Sequence, residues 1–141
     1  MKSIFVIFFL LIPSLLHANS IGDVIMHEGS GVIERKANGE EVTTQTELDV
    51  FSFDTVKTGN GKTAIEFLDA TRVDVTQHSK LTIDDFVYDP DTSTGKLSLK
   101  ATLGTVRYAS GQIAKLSPTS VSISTPTATI GVRGTDFSMT I

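Results

Sequence analysis

Apolar and polar residues alternate along most of this chain, with the period of two that is typical of β-strands with one buried face. Outside the N-terminal segment no window shows a helical period, so the pattern predicts about ten strands and no substantial helix. The apolar members of the clearest runs are Ile65/Phe67, Val73/Val75, Leu81/Ile83, Leu97/Leu99/Ala101/Leu103 and Val106/Tyr108.

Turn-forming residues interrupt these runs about every ten residues, as in a sandwich or barrel. Asn38-Gly39 and Asn60-Gly61 predict two-residue hairpin turns, because a type I′ turn needs positive φ at both central positions. One-sided alternation predicts two sheets packed face to face, an all-β, mostly antiparallel β-sandwich. A short β-solenoid is the alternative, since the spacing also suits stacked turns, although no repeated motif supports it.

The last stretch of the chain predicts three strands and two corners. Breaks at Thr125-Pro126 and Arg133-Gly134 separate three alternating runs. Each run is expected to place its apolar side on the core. These runs are Val121/Ile123, Ala128/Ile130/Val132 and Phe137/Met139/Ile141.

Residues 1–18 have the form of a secretory signal peptide, with a basic Lys2, an apolar stretch from Ile4 to Leu16 and a small Ala18. The apolar stretch is shorter than the roughly 20 residues that span a bilayer. We therefore expect an N-terminal signal-peptide helix, cleavage after Ala18, and a mature chain of residues 19–141 with no membrane span.

The composition argues against several classes of function and of stabilising bond. The chain has 12 basic and 16 acidic residues, for a net charge of −4, and no basic run, which argues against nucleic-acid binding. It has no cysteine, which excludes disulfides and thiolate metal sites. A core of ordinary apolar content must therefore stabilise the fold.

Candidate chemistry along the chain is weak. His78-Ser79, with Asp84 and Asp85 nearby, lacks the setting of a hydrolytic triad, and His27 and His78 lack a third metal ligand and are expected at the surface. Phe86 and Tyr88 could form a binding surface, but aromatic residues at such positions are more often core. No enzyme activity and no cofactor are expected.

One acidic segment, Asp84 to Gly95, matches part of the sequence pattern of a calcium-binding loop. Asp89, Asp91 and Ser93 alternate as oxygen ligands should, and they are the weak candidates for a metal site. The glycine is one position late, and Lys100 stands where a bidentate glutamate belongs. A polar hairpin loop is the favoured interpretation.

The run from Ser124 to Phe137 resembles the signature of the FecR domain, a bacterial envelope module with a T-P-x-A-x-x-G-V-R-G-T-x-F run. All fixed positions of that run are present: Thr125, Pro126, Ala128, Gly131, Val132, Arg133, Gly134, Thr135 and Phe137. A second family region is similar to residues 54–75. It departs at Phe53 and Ala70, where the family pattern has glycine.

The resemblance implies a jelly-roll-like sandwich and a periplasmic or secreted bacterial protein that acts by binding. In the best-known members this domain is the periplasmic part of a membrane anti-sigma regulator, whose cytoplasmic and membrane parts have no counterpart here. The expected function is envelope sensing or signalling through protein–protein contact. The alternative is a structural or adhesive module that binds glycan or pairs by strand addition.

Two questions stay open at this point. Arg133, between two glycines, either pairs with a carboxylate of a ligand or partner or fixes its corner. It would fix the corner by hydrogen-bonding carbonyls or by pairing with an internal carboxylate such as that of Asp136, and the fixing role is favoured. Family members continue with a further hairpin beyond this signature. Either the sequence is part of a longer protein, or its last sheet edge is left for another chain to cover. The partner and the oligomeric state are not predicted.

Overall fold

The computed structural model describes residues 19–117 and 119–141, which form thirteen strands and one short helix. The predicted signal peptide lies outside the described residues. The elements are β1 (Gly22–Glu28), β2 (Gly31–Glu34), β3 (Glu41–Thr43), β4 (Asp49–Val50), β5 (Thr55–Thr58), β6 (Lys62–Phe67), β7 (Arg72–Val75), β8 (Lys80–Asp89), β9 (Thr94–Leu103), β10 (Thr105–Ala109), α1 (Gln112–Leu116), β11 (Val121–Ser124), β12 (Thr129–Gly131) and β13 (Phe137–Thr140).

The strands form two sheets packed face to face, which confirms the predicted all-β sandwich. The first sheet has six strands in the order β13-β10-β7-β6-β1-β4, and the second has seven in the order β12-β11-β9-β8-β5-β2-β3. Among the described strand pairs, only β9 with β11 is parallel. A solenoid would stack successive turns in parallel, so the antiparallel registers rule against that alternative.

The core lies between the two sheets and includes the predicted apolar positions of β6 to β10, with the exception of Leu103. Leu103 is 56% exposed, although it continues the alternation of β9. A β-bulge at Thr102 of β9 pairs Lys80 with Leu103 and Leu81 with Ala101. Residues paired across strands share a face, so Leu103 lies on the outer face with Lys80.

The two predicted Asn-Gly turns differ from the prediction. Asn38-Gly39 does join a hairpin, β2 to β3, but through a four-residue loop closed by a 2.8 Å bond from the Arg35 N–H to the Glu40 carbonyl. The hairpin predicted at Asn60-Gly61 is wrong, because β5 and β6 belong to different sheets. A Cβ at Gly61 would lie 1.9 Å from the Glu28 carbonyl oxygen, so this glycine permits a close crossing of two chain segments.

The sandwich is built from both halves of the chain. β1 pairs with β6, and β2 pairs with β5, so residues before position 54 complete both sheets. A search of the described residues for helices with the length and hydropathy of a bilayer span finds none. The two sheets together bring β12 and β13 to the same side of the sandwich, each as the last strand of its sheet.

Candidate functional site: the signature edge

The Thr-Pro-x-Ala part of the signature is a tight turn between β11 and β12. The Thr125 N–H donates to the Ala128 carbonyl at 2.7 Å, and the Ala128 N–H donates to Thr125 Oγ1 at 3.1 Å. Pro126 follows Thr125, at the turn position where its fixed φ favours chain reversal. The turn therefore explains the residue types at Thr125 and Pro126, whereas Ala128 contributes only backbone groups.

The remainder of the signature carries the chain from the second sheet to the first. Val132 is buried, and Phe137 packs against Tyr108 with ring centroids 5.5 Å apart. Between them Gly134 has φ +74°, a conformation that favours glycine. Asp136 Oδ1 accepts a 3.0 Å bond from the Ser110 N–H. The corner is thus fixed at both ends.

Arg133 does not take the fixing role that the sequence favoured. Its side chain is exposed, and Asp136 is bonded to Ser110 instead. The expected pairing of Arg133 with Asp136 is therefore not formed in the described structure. The guanidinium faces solvent at the corner, where a carboxylate of another molecule can reach it.

We call β12, β13 and the connection 132–136 the signature edge. Its two strands contain no charged residue: Thr129-Ile130-Gly131 in β12 and Phe-Ser-Met-Thr in β13. The Val132 N–H donates to the Val121 carbonyl at 2.9 Å, and this bond shows which residues of β12 bond to β11. Because backbone groups of an antiparallel strand point alternately to either side, the N–H and carbonyl groups of residues 129 and 131 point away from β11. A Cβ at Gly131 would have no neighbour within 4 Å. This glycine leaves bare backbone on the outside of the sheet.

The prediction that the apolar side of the Ala128/Ile130/Val132 run is buried is wrong for two of the three residues. Ile130 is 40% exposed and Ala128 is exposed, whereas Val132 is buried. Ile130 is paired with the buried Ile123, so it lies on the inner face of its sheet. Its exposure means that the six-stranded sheet leaves this part of β12 uncovered.

The predicted metal candidates lie elsewhere, in the hairpin loop between β8 and β9. Asp89, Asp91 and Ser93 are all exposed, and Asp89 Oδ1 accepts a 3.0 Å bond from the Asp91 N–H, as in a polar turn. No group of three His, Cys, Asp or Glu side chains suited to a metal occurs among residues 19–117 and 119–141. The loop interpretation describes this segment.

The other candidates serve the fold. Ser79 is buried and accepts a 3.0 Å bond from the Thr105 N–H, so it ties the start of β8 to the start of β10, while His78 is exposed. His27 is half-buried rather than on the surface, with Nδ1 2.9 Å from Thr63 Oγ1. Phe86 stacks on the ring of a core phenylalanine at 5.4 Å, and Tyr88 packs on the core.

An ion pair that the sequence did not indicate lies at the opposite edge. Asp54 is buried, accepts a 2.8 Å bond from the Phe51 N–H and pairs with the Arg35 guanidinium. Burial raises the pKa of Asp54 more than the Phe51 N–H and Arg35 lower it. The partners are 19 residues apart, on a loop and a strand end, so no local spacing signals the pair.

Two sequence departures coincide with unusual backbone. Phe53 has φ +70° and Ala70 has φ +67°, and both stand where the resembling family pattern has glycine. Glycine adopts this conformation without the steric penalty of a Cβ. Both positions therefore have the left-handed backbone that glycine adopts most readily.

The FecR protein family model matches residues 54–141, more than half of the chain, and this range includes the signature edge. No curated protein and no solved structure matches the chain. The matched range contains the complete Thr125-to-Phe137 run, whose turn, corner and core anchors are described above. The chain belongs to the FecR protein family.

Proposed function

We propose that this chain is a non-enzymatic binding module of the bacterial envelope, a periplasmic component of sensing or signalling that acts through protein–protein contact at the signature edge. The family supports the association with envelope signalling. The observation that carries the proposal is that the two strands of the signature edge contain no charged residue and that Arg133 is exposed between them, whereas the edge strands on the opposite side of both sheets are short and charged.

The contrast between the edges is specific. On the opposite side, β4 has only two residues and includes Asp49, and β3 begins with Glu41. Short, charged edge strands discourage pairing with other chains. β13 has four residues without charge, and β12 has a bare glycine at its outer backbone. The side of the sandwich that carries the family signature is the side suited to contact.

The signature residues divide into two groups that support the same proposal. Val132 and Phe137 anchor the corner on the core, and the Thr125 turn closes the hairpin. Arg133 and Gly131 are exposed, and a Cβ at Gly131 would have no neighbour within 4 Å. A buried set that fixes geometry and an exposed set that it presents are what a binding surface requires.

A second candidate is an adhesive module that binds envelope glycan. An open groove of about 840 Å³ at one end of the sandwich favours it, because its lining offers hydrogen-bond donors and acceptors of the kind that sugars use. The side chains that give the groove this character are Glu28, Asn60, Lys62, Gln77 and His78. The groove reaches Thr105, which pairs with Thr140 at the end of β13, but none of its lining residues belongs to the signature edge, so the two candidates make different predictions.

Site-specific photo-crosslinking in living cells tests the proposal. A photo-reactive amino acid replaces Arg133, and in a matched control it replaces Thr43, an exposed residue of the short, charged edge strand β3. We expect a protein adduct from position 133 and none from position 43. Equal adducts at both positions, or no protein adduct at position 133, would refute contact at the signature edge. A reactive residue at His78 that yields a glycan adduct would favour the second candidate.

A further inference from the structure

We propose that the protein binds small amphiphilic anions, carboxylates with an apolar body, in a pocket at the edge opposite the signature edge. The pocket lies between the loop from β2 to β3 and the segment that follows β4, and we call it the aromatic slot. β3 and β4 are the last strands of their sheets on the side away from β12 and β13, so this inference does not rest on the proposed function. The aromatic slot has a volume of about 440 Å³ and is lined by Asn19, Lys36, Ala37, Phe51, Ser52 and Phe53.

The Phe53 ring is presented at the aromatic slot by a backbone conformation that phenylalanine rarely adopts. Phe53 has φ +70° and is 49% exposed. Its N–H donates to the Ile83 carbonyl at 2.8 Å, and the Ile83 N–H donates to the Asp54 carbonyl at 2.9 Å, so β8 holds the segment in place. A Cβ makes left-handed backbone unfavourable, and a half-exposed ring recovers only part of the free energy of burial. Strain of this kind recurs at ligand sites, and an apolar ligand here would cover the ring.

Phe51 forms the second aromatic wall, and the buried ion pair fixes its position. The Arg35 guanidinium lies over the Phe51 ring, 4.9 Å from the ring centroid. Arg35 pairs with Asp54 and also donates to the Asp49 carbonyl at 2.9 Å. The Phe51 N–H donates to the same Asp54 carboxylate at 2.8 Å. The protein itself therefore holds the backbone and one face of this ring, which is typical of a pocket that is largely formed before its ligand binds.

Lys36 supplies the charge that selects an anion. It is exposed, its Nζ lies 5.1 Å from the centroid of the Phe53 ring, and it is the one charged residue of the six that line the aromatic slot. Among the residues that the structure describes, Lys36 forms no ion pair, whereas Arg35 and Lys57 do. A ligand carboxylate can therefore pair with Lys36 without breaking an internal ion pair, while its apolar body lies against the two rings.

The lining favours this ligand class over a saccharide. A sugar carries several hydroxyl groups, and each needs a hydrogen-bond partner once water is displaced. The side chains of the aromatic slot offer two uncharged polar groups, those of Asn19 and Ser52. Two phenyl rings and the methyl group of Ala37 instead match an alkyl chain or an aromatic ring. The volume is near the lower end of the range for ligand pockets, which fits a small molecule rather than a protein segment.

Three probes with the same eight-carbon chain test the role of charge: octanoate, octan-1-ol and octylammonium. Each is added to nitrogen-15-labelled protein purified from the periplasm, and amide chemical shifts locate the binding site. The probes are compared at about 3 mM, where the shifts of so small a ligand still scale with its affinity. We expect octanoate to shift the amides of residues 36, 37 and 51–53 and to bind about fivefold more tightly than octan-1-ol. Octylammonium should bind more weakly than both.

Two variants separate the contribution of the charge from that of the ring. Lys36→Gln should weaken octanoate binding about fivefold and leave octan-1-ol binding unchanged. Its matched control is Lys100→Gln, which removes an exposed lysine of β9 that also forms no ion pair among the described residues. Phe53→Ser should weaken both probes about tenfold, because each loses contact with roughly 50 Å² of ring surface. Leu68→Ser, its control, removes an apolar side chain that is 64% exposed and should leave binding unchanged.

Any of three results would overturn the proposal. The first is equal binding of octanoate and octan-1-ol that Lys36→Gln does not change, because the anion would then not be recognised. The second is the absence of octanoate-induced shifts at residues 36, 37 and 51–53. The third is a larger shift of these amides by the neutral disaccharide maltose than by octanoate at the same concentration. Circular dichroism verifies that each variant is folded, and Lys36→Gln alters an exposed loop, so it tests the charge even if Phe53→Ser lowers stability.

Discussion

Replacement of Ala70 by glycine should stabilise the protein, although most substitutions of a folded chain destabilise it. Ala70 lies in the turn between β6 and β7 with φ +67°, and its side chain is exposed. Its N–H donates to the Phe67 carbonyl at 2.9 Å, and the Phe67 N–H donates to the Thr71 carbonyl at 2.9 Å. Ala70→Gly keeps these bonds and removes only a methyl group.

The magnitude follows from two opposing effects. A residue with a Cβ in the left-handed region costs about 1–2 kcal/mol relative to its preferred conformation, and glycine avoids most of this cost. Glycine also gives the unfolded chain more freedom, which lowers stability by about 0.4–1 kcal/mol. The exposed methyl group contributes little packing. We therefore expect a net gain of about 0.5–1 kcal/mol in the free energy of unfolding.

Urea unfolding, followed by circular dichroism, measures the change, and Ala37→Gly is the matched control. Ala37 is also exposed and lies in the loop between β2 and β3, but it is not among the described residues with positive φ. Only the entropic effect applies there, so Ala37→Gly should lower stability by about 0.5 kcal/mol. Equal losses in both variants would refute the assignment of strain to Ala70.

Three further predictions concern the core and the glycines. Tyr108 has a buried hydroxyl without a partner among the described residues, and burial raises its pKa. Tyr108→Phe should therefore leave stability at pH 7 no lower, and it should remove the loss of stability that the wild-type protein shows as the pH rises above about 10. Urea midpoints measured from pH 7 to 11 test both expectations. Gly111→Ala should cost about 2 kcal/mol or more, because its Cβ would lie 2.3 Å from a backbone nitrogen, whereas Gly131→Ala should change stability by less than about 0.5 kcal/mol in the same assay. Asp54→Ala should cost about 3 kcal/mol by leaving the mostly buried Arg35 unpaired, and Asp54→Ala combined with Arg35→Met should recover part of that loss.

Alternation predicted the consecutive interior strands β6 to β10, and the reason is physical. Side chains such as Ile65 and Val73 are covered from across the core, so their period of two is strict. β3 and β4, with three and two residues, are too short for a periodic signal. β4 in addition pairs with β1, which is distant in the sequence, so the local sequence does not predict that pairing.

The wrong predictions for Ile130 and for Asn60-Gly61 have another cause. The sequence predicts which face of a strand is apolar, but it does not show which strand of the fold pairs with it or covers that face. The inward pattern of β12 was identified correctly, yet Ile130 remains exposed because the opposing sheet ends at β13. Asn60-Gly61 was identified as a turn, but the strand after it enters the other sheet. In both cases the missing information is the position of a distant strand. The signature was recognised from residue types alone, whereas its division into anchors and exposed residues needed the structure.

That division bears on how the signature acts. If all of its residues served the fold, Gly131 would be required by positive φ or by a close neighbour, and it has neither, unlike Gly134 with its φ of +74°. A bare backbone at the outer side of an edge strand does matter when another strand approaches closely. Arg133 likewise contributes no internal bond where one was expected. Under the proposed function, the turn and the core anchors hold β12 and β13 in place, and the exposed glycine and arginine are the residues available to a partner.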